Sequence, residues 1–192
     1  MKLKLVQNQE VNKKEFYQMV QMDHDVWPED DPSHMTKEYQ ESLFLPEKEG
    51  LFLAVDEDRD GDVVGYFNCI FTTREDMHDY LHGGEFQDLE NINLHKGSDN
   101  ICYLYTANIK PEYRGSGCMK LLGKAFASWL DEQEEKGCKI DRAYVEAVSC
   151  DGARTITKGF GMEPLEDVDE DGIGHYVSHD GLREYRLKMA NV

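Results

Sequence analysis

Pro111-Glu112-Tyr113-Arg114-Gly115-Ser116-Gly117-Cys118-Met119 is a glycine-rich bend between two runs of opposite periodicity. Before it, residues 101–109 read as a strand. After it, Cys118, Met119, Leu122, Ala125, Phe126, Trp129 and Leu130 recur at helical spacing, and Gly137 is the stop. A strand that passes through glycines into a helix brings unpaired backbone N–H groups together. The helix dipole adds partial positive charge, and the glycines let an anion approach the main chain closely. Local charge points the same way: Lys110, Arg114, Lys120 and Lys124 face only Glu112 across residues 108–124, in a chain of net charge -18. Screening at physiological salt sets in over about 8 Å, so a bound anion would respond to this island more than to distant acids. The bend is not a P-loop, since Gly-Lys-Ser/Thr is absent, and it lacks the third glycine of a dinucleotide fingerprint. Taken alone it is also what a plain strand-to-helix connection looks like, so the surrounding elements must decide.

The chain of 192 residues suits one domain, 1–192, with an insertion expected at 74–100, where polar residues surround Gly83-Gly84. Its 40% apolar and 31% charged residues are the proportions of a packed globule. With 39 acids against 21 bases, the charge has the wrong sign for coating phosphate backbones, and no nucleic-acid partner is expected. No apolar run reaches the length of a membrane helix, and Met1 to Glu10 lacks a secretory signal, so a cytoplasmic protein without membrane contact is expected. Five scattered cysteines with no Cys-x-x-Cys pair indicate neither a disulfide framework nor a zinc knuckle.

Working outward from the bend, residues 2–6 read as a first strand, and Asn12 with Glu15 as a capping box opening a helix. A second helix is expected over 33–45, after a link of Glu29, Asp30, Asp31 and Pro32. Residues 51–55 and 63–71 form a hairpin around Asp60-Gly61. Beyond the long helix come a strand at 143–148, a short helix at 151–159, and two closing strands at 162–168 and 182–188. The fold class is therefore α/β (α+β): a mixed, mainly antiparallel sheet of about six or seven strands flanked by helices.

Within this order, Ile109-Lys110-Pro111 and Arg114-Gly115-Ser116-Gly117-Cys118-Met119 resemble the Arg/Gln-x-x-Gly-x-Gly/Ala signature of the GNAT superfamily of N-acetyltransferases. Cys150, Ala153, Ile156, Thr157, Gly161 and Met162 align without gaps to a second stretch of that family. The resemblance implies a single GNAT-like domain and acetyl-CoA as co-substrate, lying in a V between the strand ending at Ile109 and the strand ending near Val148. It implies cofactor contacts at Ile109, Arg114, Gly115, Ser116, Gly117, Cys118, Met119, Lys120, Cys150 and Ala153, with backbone N–H near Ile109 stabilising an oxyanion. Three positions depart from the pattern. Met119 replaces a small residue, Cys150 an asparagine, and Thr157 the tyrosine that in many members protonates the departing thiolate.

The reaction so implied is attack of a primary amine, on a small molecule or a peptide, upon the thioester. An amine with a pKa near 10.4 is neutral only about 0.04% of the time at pH 7, so a base or relay should assist it. Glu146 is the candidate base, and Tyr103 and Tyr105, on one face of their strand by period two, are candidate acids in place of Thr157. Asp23, Asp25, Glu29 and Asp30 fall where the family walls its acceptor pocket and would welcome a cation. A solvated surface is the alternative reading of these acids. A rival from another class is a catalytically impaired protein on the same scaffold that binds CoA or a basic protein partner. The protein is expected to be a monomer or a homodimer.

Two patterns imitate metal sites. Asp56, Asp58, Asp60 and Gly61 begin a calcium loop, as do Asp167, Asp169, Asp171 and Gly172, but position twelve is Phe67 in the first and Ser178 in the second. His78-Asp79-Tyr80-Leu81-His82 imitates a zinc helix, yet two glycines follow at once. No metal is expected. His175 and His179 flank an expected loop before the last strand, where they could line an acceptor pocket or be surface residues only.

Overall fold

The computed structural model describes residues 2–31, 34–45 and 49–191. Among these, the elements in chain order are β1 (Leu3–Gln7), α1 (Lys13–Val26), α2 (Lys37–Phe44), β2 (Leu51–Asp56), β3 (Asp62–Thr72), α3 (Arg74–Leu81) and β4 (Gly97–Ile109). They continue with α4 (Cys118–Glu135), β5 (Cys138–Ala147), α5 (Cys150–Thr155), β6 (Glu163–Pro164), β7 (Gly174–Ser178) and α6 (Arg183–Ala190). The strands make one mixed sheet of order β1-β2-β3-β4-β5-β7-β6. β4 and β5 run parallel, whereas β1–β2, β2–β3, β5–β7 and β6–β7 are antiparallel. This is the GNAT-like sheet expected from the sequence. None of the described helices is long and apolar enough to cross a membrane.

The chain divides into two compact units, Met1–Asn68 with Thr106–Phe126, and Cys69–Tyr105 with Ala127–Val192. In the first, α1 opens on the expected capping box: the Asn12 side chain accepts from the Glu15 N–H at 3.1 Å, and the Glu15 carboxylate accepts from the Asn12 N–H at 2.9 Å. Phe16, Met19, Val20 and Asp23 are buried at the i, i+3, i+4, i+7 spacing of one helical face. α2 begins at Lys37 because Thr36 caps it, accepting from the Tyr39 N–H at 3.2 Å. The expected start at Ser33, and Pro32 before it, lie outside the described residues. Phe52 and Phe67 of the β2–β3 hairpin meet Phe126 with ring centroids 5.5 and 4.8 Å away. Asp60 and Gly61 turn the hairpin with φ of 55° and 72°.

In the second unit, α3 is capped by Thr73, whose hydroxyl accepts from the Asp76 N–H at 3.0 Å. The segment after it is tied to β3: Asn91 Oδ1 accepts from the Phe71 N–H at 3.0 Å, and the Ile92 N–H donates to the Phe71 carbonyl at 2.7 Å. β4 starts at Gly97 rather than 101, and β5 at Cys138 rather than 143. Asn100 makes this extension possible. The β4–β5 register shifts there, and its buried amide donates to the carbonyls of His95 and Lys139 while accepting from the His95 N–H.

The closing elements differ from expectation. Residues 182–188 are not a strand but the start of α6, entered through Leu182 at φ 65°. Leu182 and Tyr185 are buried while Arg183 and Glu184 between them are exposed, a helical period mistaken for alternation. The closing strand is instead β7, nearly buried along its length and so without alternation. His175 therefore lies inside a strand rather than at the edge of a loop, and His179 follows that strand in a turn. The strand expected over 162–168 shrinks to Glu163–Pro164, since Pro164 brings no N–H to the ladder.

Candidate active site

The glycine bend is built from its own backbone. The Arg114 and Ser116 N–H groups donate to the carbonyls of Pro111 and Tyr113, and the helical ladder begins where the Leu121 N–H reaches the Gly117 carbonyl at 2.9 Å. The N–H groups of Cys118, Met119 and Lys120 are thus the first-turn donors that a helix cannot satisfy itself. Gly115 and Gly117 have φ of 75° and 89°, and a Cβ on either would meet nothing within 4 Å. The main chain there faces open space in a conformation only glycine adopts easily. The Ser116 hydroxyl is buried with no hydrogen-bond partner among the described residues.

Two contacts fix the bend. Tyr113 is buried and donates its hydroxyl to Asp56 Oδ2 at 2.7 Å, and this bond holds the Asp56 carboxyl below its usual range. Cys118 is also buried, and burial pushes its thiol up to about 11. It is a packing residue. The Lys110 N–H beyond Ile109 is engaged with the Val64 carbonyl at 2.9 Å.

The second unit holds Glu146, Tyr103 and Tyr105. The β4–β5 ladder ends at Leu104 opposite Val145, and β5 continues alongside β7 with Glu146 opposite His175. Residues paired in this way project their side chains on the same face. Glu146 Oε2 lies 4.0 Å from His175 Nε2, and His175 Nδ1 lies 2.5 Å from Asp167 Oδ2. The Tyr80 hydroxyl, from α3, lies 3.3 Å from His175 Nε2 and 3.4 Å from the Tyr103 hydroxyl. Tyr80 meets both rings edge-on, at 5.6 Å from Tyr103 and 5.4 Å from His175. Phe86 completes the floor, touching Tyr103 at 5.5 Å and stacking on Tyr105 at 5.1 Å.

Protonation states follow from this setting. Burial pushes Tyr103 well above the ordinary phenol value, with the neighbouring Tyr80 and Glu146 adding to it. Burial raises Tyr80 as well, and the Glu146 charge adds to it. Burial would raise Asp167, but the hydrogen bond and charge of His175 outweigh it and leave the carboxyl lowered. Two neutral phenols therefore adjoin an imidazole bonded to a carboxylate.

Of the residues singled out from the sequence, Glu146 and Tyr103 come together in this cluster, and Tyr105 is on its Phe86 side. Cys150 is exposed in the first turn of α5, which Ser149 caps, and Ala153 is buried on the same helix. The Thr157 hydroxyl donates to the Ala153 carbonyl at 2.9 Å, a bond within its own helical segment. The four acids expected to wall a pocket are not gathered. Asp23 is buried, accepting from Tyr66 at 2.6 Å and Gln40 at 2.8 Å, and burial raises its carboxyl despite those bonds. Asp25, two residues on and so on another helix face, is exposed and bonded to Gln21, while Glu29 and Asp30 are exposed beyond the helix end.

Tyr80 and Asp167 are not legible in the sequence as site residues, and His175 is legible only as a residue that could line an acceptor pocket. Tyr80 sits inside the zinc-like pattern, and Asp167 opens the second calcium-like loop. That loop satisfies itself, since Asp169 Oδ1 accepts from the N–H groups of Asp171 and Ile173. His78 and His82 stack on each other at 4.1 Å, and His82 Nδ1 is bonded to the His78 carbonyl. Among the described residues no three His, Cys, Asp or Glu side chains are grouped to hold a metal.

The fold is shared with solved acetyltransferases. NAA60 of Arabidopsis thaliana, solved with acetyl-CoA, superposes with a TM-score of 0.61 at 14% identity over 92% of this chain and 97% of its own. A mosquito arylalkylamine N-acetyltransferase like 5b gives 0.59 at 15% identity over 92% and 99%. The Drosophila melanogaster polyamine N-acetyltransferase gives 0.59 at 15% over 93% and 100%. At such identities the likeness is one of fold. No curated protein sequence matches the chain. The model of the acetyltransferase (GNAT) family does match, over residues 16–151. With most of its length matched and the sheet and glycine bend in place, the chain belongs to the GNAT acetyltransferase family.

Proposed function

We propose that the protein transfers an acetyl group from acetyl-CoA to a primary amine by direct attack on the thioester. The observation that carries this reading is the bend at residues 114–120. It combines a buried Ser116 hydroxyl without a partner among the described residues, two left-handed glycines facing open space, and three first-turn N–H groups. Those donors suit the diphosphate of a coenzyme, with Arg114 and Lys120 adding charge. When bound, acetyl-CoA supplies an activated acyl carbonyl. The chain supplies the proton handling, for which Glu146, Tyr103 and Tyr105 are the residues read from the sequence. Burial keeps the Tyr103 hydroxyl protonated, whereas the Thr157 hydroxyl is committed to the Ala153 carbonyl.

The acceptor class is an amine, in keeping with the arylalkylamine and polyamine enzymes that share the fold. The exposed carboxylates Asp25, Glu29 and Asp30 favour a cationic one, while Asp23 sets the helix that carries Asp25. Free thiol release from acetyl-CoA across a panel of polyamines, arylalkylamines, aminoglycosides and peptides tests the proposal. Turnover of at least one amine is expected. Binding of acetyl-CoA without turnover of any would replace it with a coenzyme-binding protein.

A further inference from the structure

We propose that His175, held by Asp167 and joined through Tyr80 to Tyr103, is the acceptor of the proton that the attacking amine gives up. This assignment rests on the acetyl-transfer reading and goes beyond it, because it moves the base from Glu146 to a strand on which the sequence suggested no catalytic group.

The argument starts from geometry. Asp167 Oδ2 is 2.5 Å from His175 Nδ1, and both Asp167 oxygens also lie 3.3 Å from the His175 backbone N–H. A carboxylate accepts only, so Nδ1 carries the hydrogen, and in the neutral ring Nε2 presents its lone pair. That lone pair faces the Tyr80 hydroxyl at 3.3 Å, and the Tyr80 oxygen can accept in turn from Tyr103 at 3.4 Å. With His175 neutral, the hydroxyls can run in one direction, from Tyr103 through Tyr80 to His175, with Glu146 also beside the Tyr80 hydroxyl.

The proton balance is simple. The acceptor ammonium gives a proton to the Tyr80 oxygen as the Tyr80 hydroxyl proton passes to His175 Nε2, and the nitrogen keeps its electron pair for the carbonyl. His175 becomes an imidazolium flanked by two carboxylates, Asp167 at Nδ1 and Glu146 at 4.0 Å from Nε2. Its remaining close partner is the Tyr80 ring. With its side chain 16% exposed, His175 can return the proton to water after each turnover. Glu146, 40% exposed, acts here as a counter-charge rather than as the base. Asp167 is a positioning residue, since it acts through the imidazole.

The experiment is thiol release against pH for the full chain and for His175→Ala, Tyr80→Phe, Asp167→Asn and Asp167→Glu. It is joined to acetyl-CoA affinity and to the imidazole ¹⁵N resonances of His175. The proposal expects a loss of about a hundredfold in kcat for His175→Ala at pH 7, in the range of general-base catalysis. Affinity for acetyl-CoA should be unchanged, and activity should return above pH 9, where more of the amine is neutral. The native protein should show the Nδ1-protonated tautomer, lost in Asp167→Asn and kept in Asp167→Glu. Activity of His175→Ala within twofold of native across the pH range, in a protein that does turn over an amine, would overturn this assignment alone. No turnover by the native protein would overturn the transferase reading and this one with it.

Discussion

A Cβ placed on Gly65 would lie 2.6 Å from the Cys118 sulfur, so β3 and the first residue of α4 meet where only glycine fits. The same atom would come within 3.2 Å of Ile109 Cγ1 and 3.3 Å of the Asn108 carbonyl. The strand end and the helix that frame the glycine bend are thus set by one close approach. Gly65→Ala should destabilise the protein by about 1–3 kcal/mol, the usual cost of overpacking. Urea unfolding of the two proteins measures this, and an unchanged midpoint would show that the contact relaxes freely.

Burial sets the cysteines apart. Cys118 has its thiol pushed up to about 11, whereas Cys150 is exposed at the start of a helix. An alkylating reagent at pH 8 should modify Cys150 in the folded protein and reach Cys118 only after denaturation. Peptide mass spectrometry reads the order directly.

Tyr113 and Asp56 form a pH-dependent anchor under the bend. The hydroxyl bond holds the Asp56 carboxyl below its ordinary 3.8. A depressed acid contributes stability above its unfolded pKa and loses that contribution as pH falls through the folded value. Tyr113→Phe should therefore be less stable than native protein at pH 7, and the gap should begin to narrow near the unfolded aspartate value of about 3.8 and close as pH falls through the lower folded value. Thermal melts at several pH values test it, and a gap independent of pH would contradict the anchor.

Ser116 separates binding from folding. Its buried hydroxyl has no partner among the described residues, so Ser116→Ala should leave the melting temperature unchanged or raise it. Affinity for acetyl-CoA should fall by about tenfold or more, as for loss of one hydrogen bond to a charged group. A stability loss with unchanged affinity would reverse the roles assigned to it.

Much of this architecture is legible in the chain because it is local. The Asn12–Glu15 capping box, the Asp60-Gly61 hairpin and the α4 period each lie within a few turns of sequence. What is not local does not show. β7 is buried with little alternation, so Gly174–Ser178 leaves no period-two trace, and the i, i+3 burial of Leu182 and Tyr185 passes for a strand. The site divides the same way. The bend at 114–120 is read from glycines and charge, whereas Tyr80, Asp167 and His175 come from a helix, a turn and a strand. Only the register that sets Glu146 opposite His175, and the packing of Tyr80 on Tyr103, bring them together. Asp23 shows the converse: its acidic neighbours suggest a surface, but the helical period carries it inward to Tyr66 and Gln40.

Calorimetric titration of acetyl-CoA into the native protein and into Gly117→Glu tests the central claim most directly. Gly117 holds φ 89° beside open space, so a glutamate there costs some backbone strain and sets charge and bulk against a diphosphate. The account predicts saturable binding by the native protein and none by the variant, with both folded by circular dichroism. Equal affinity in the two, or no binding by the native chain, would contradict it.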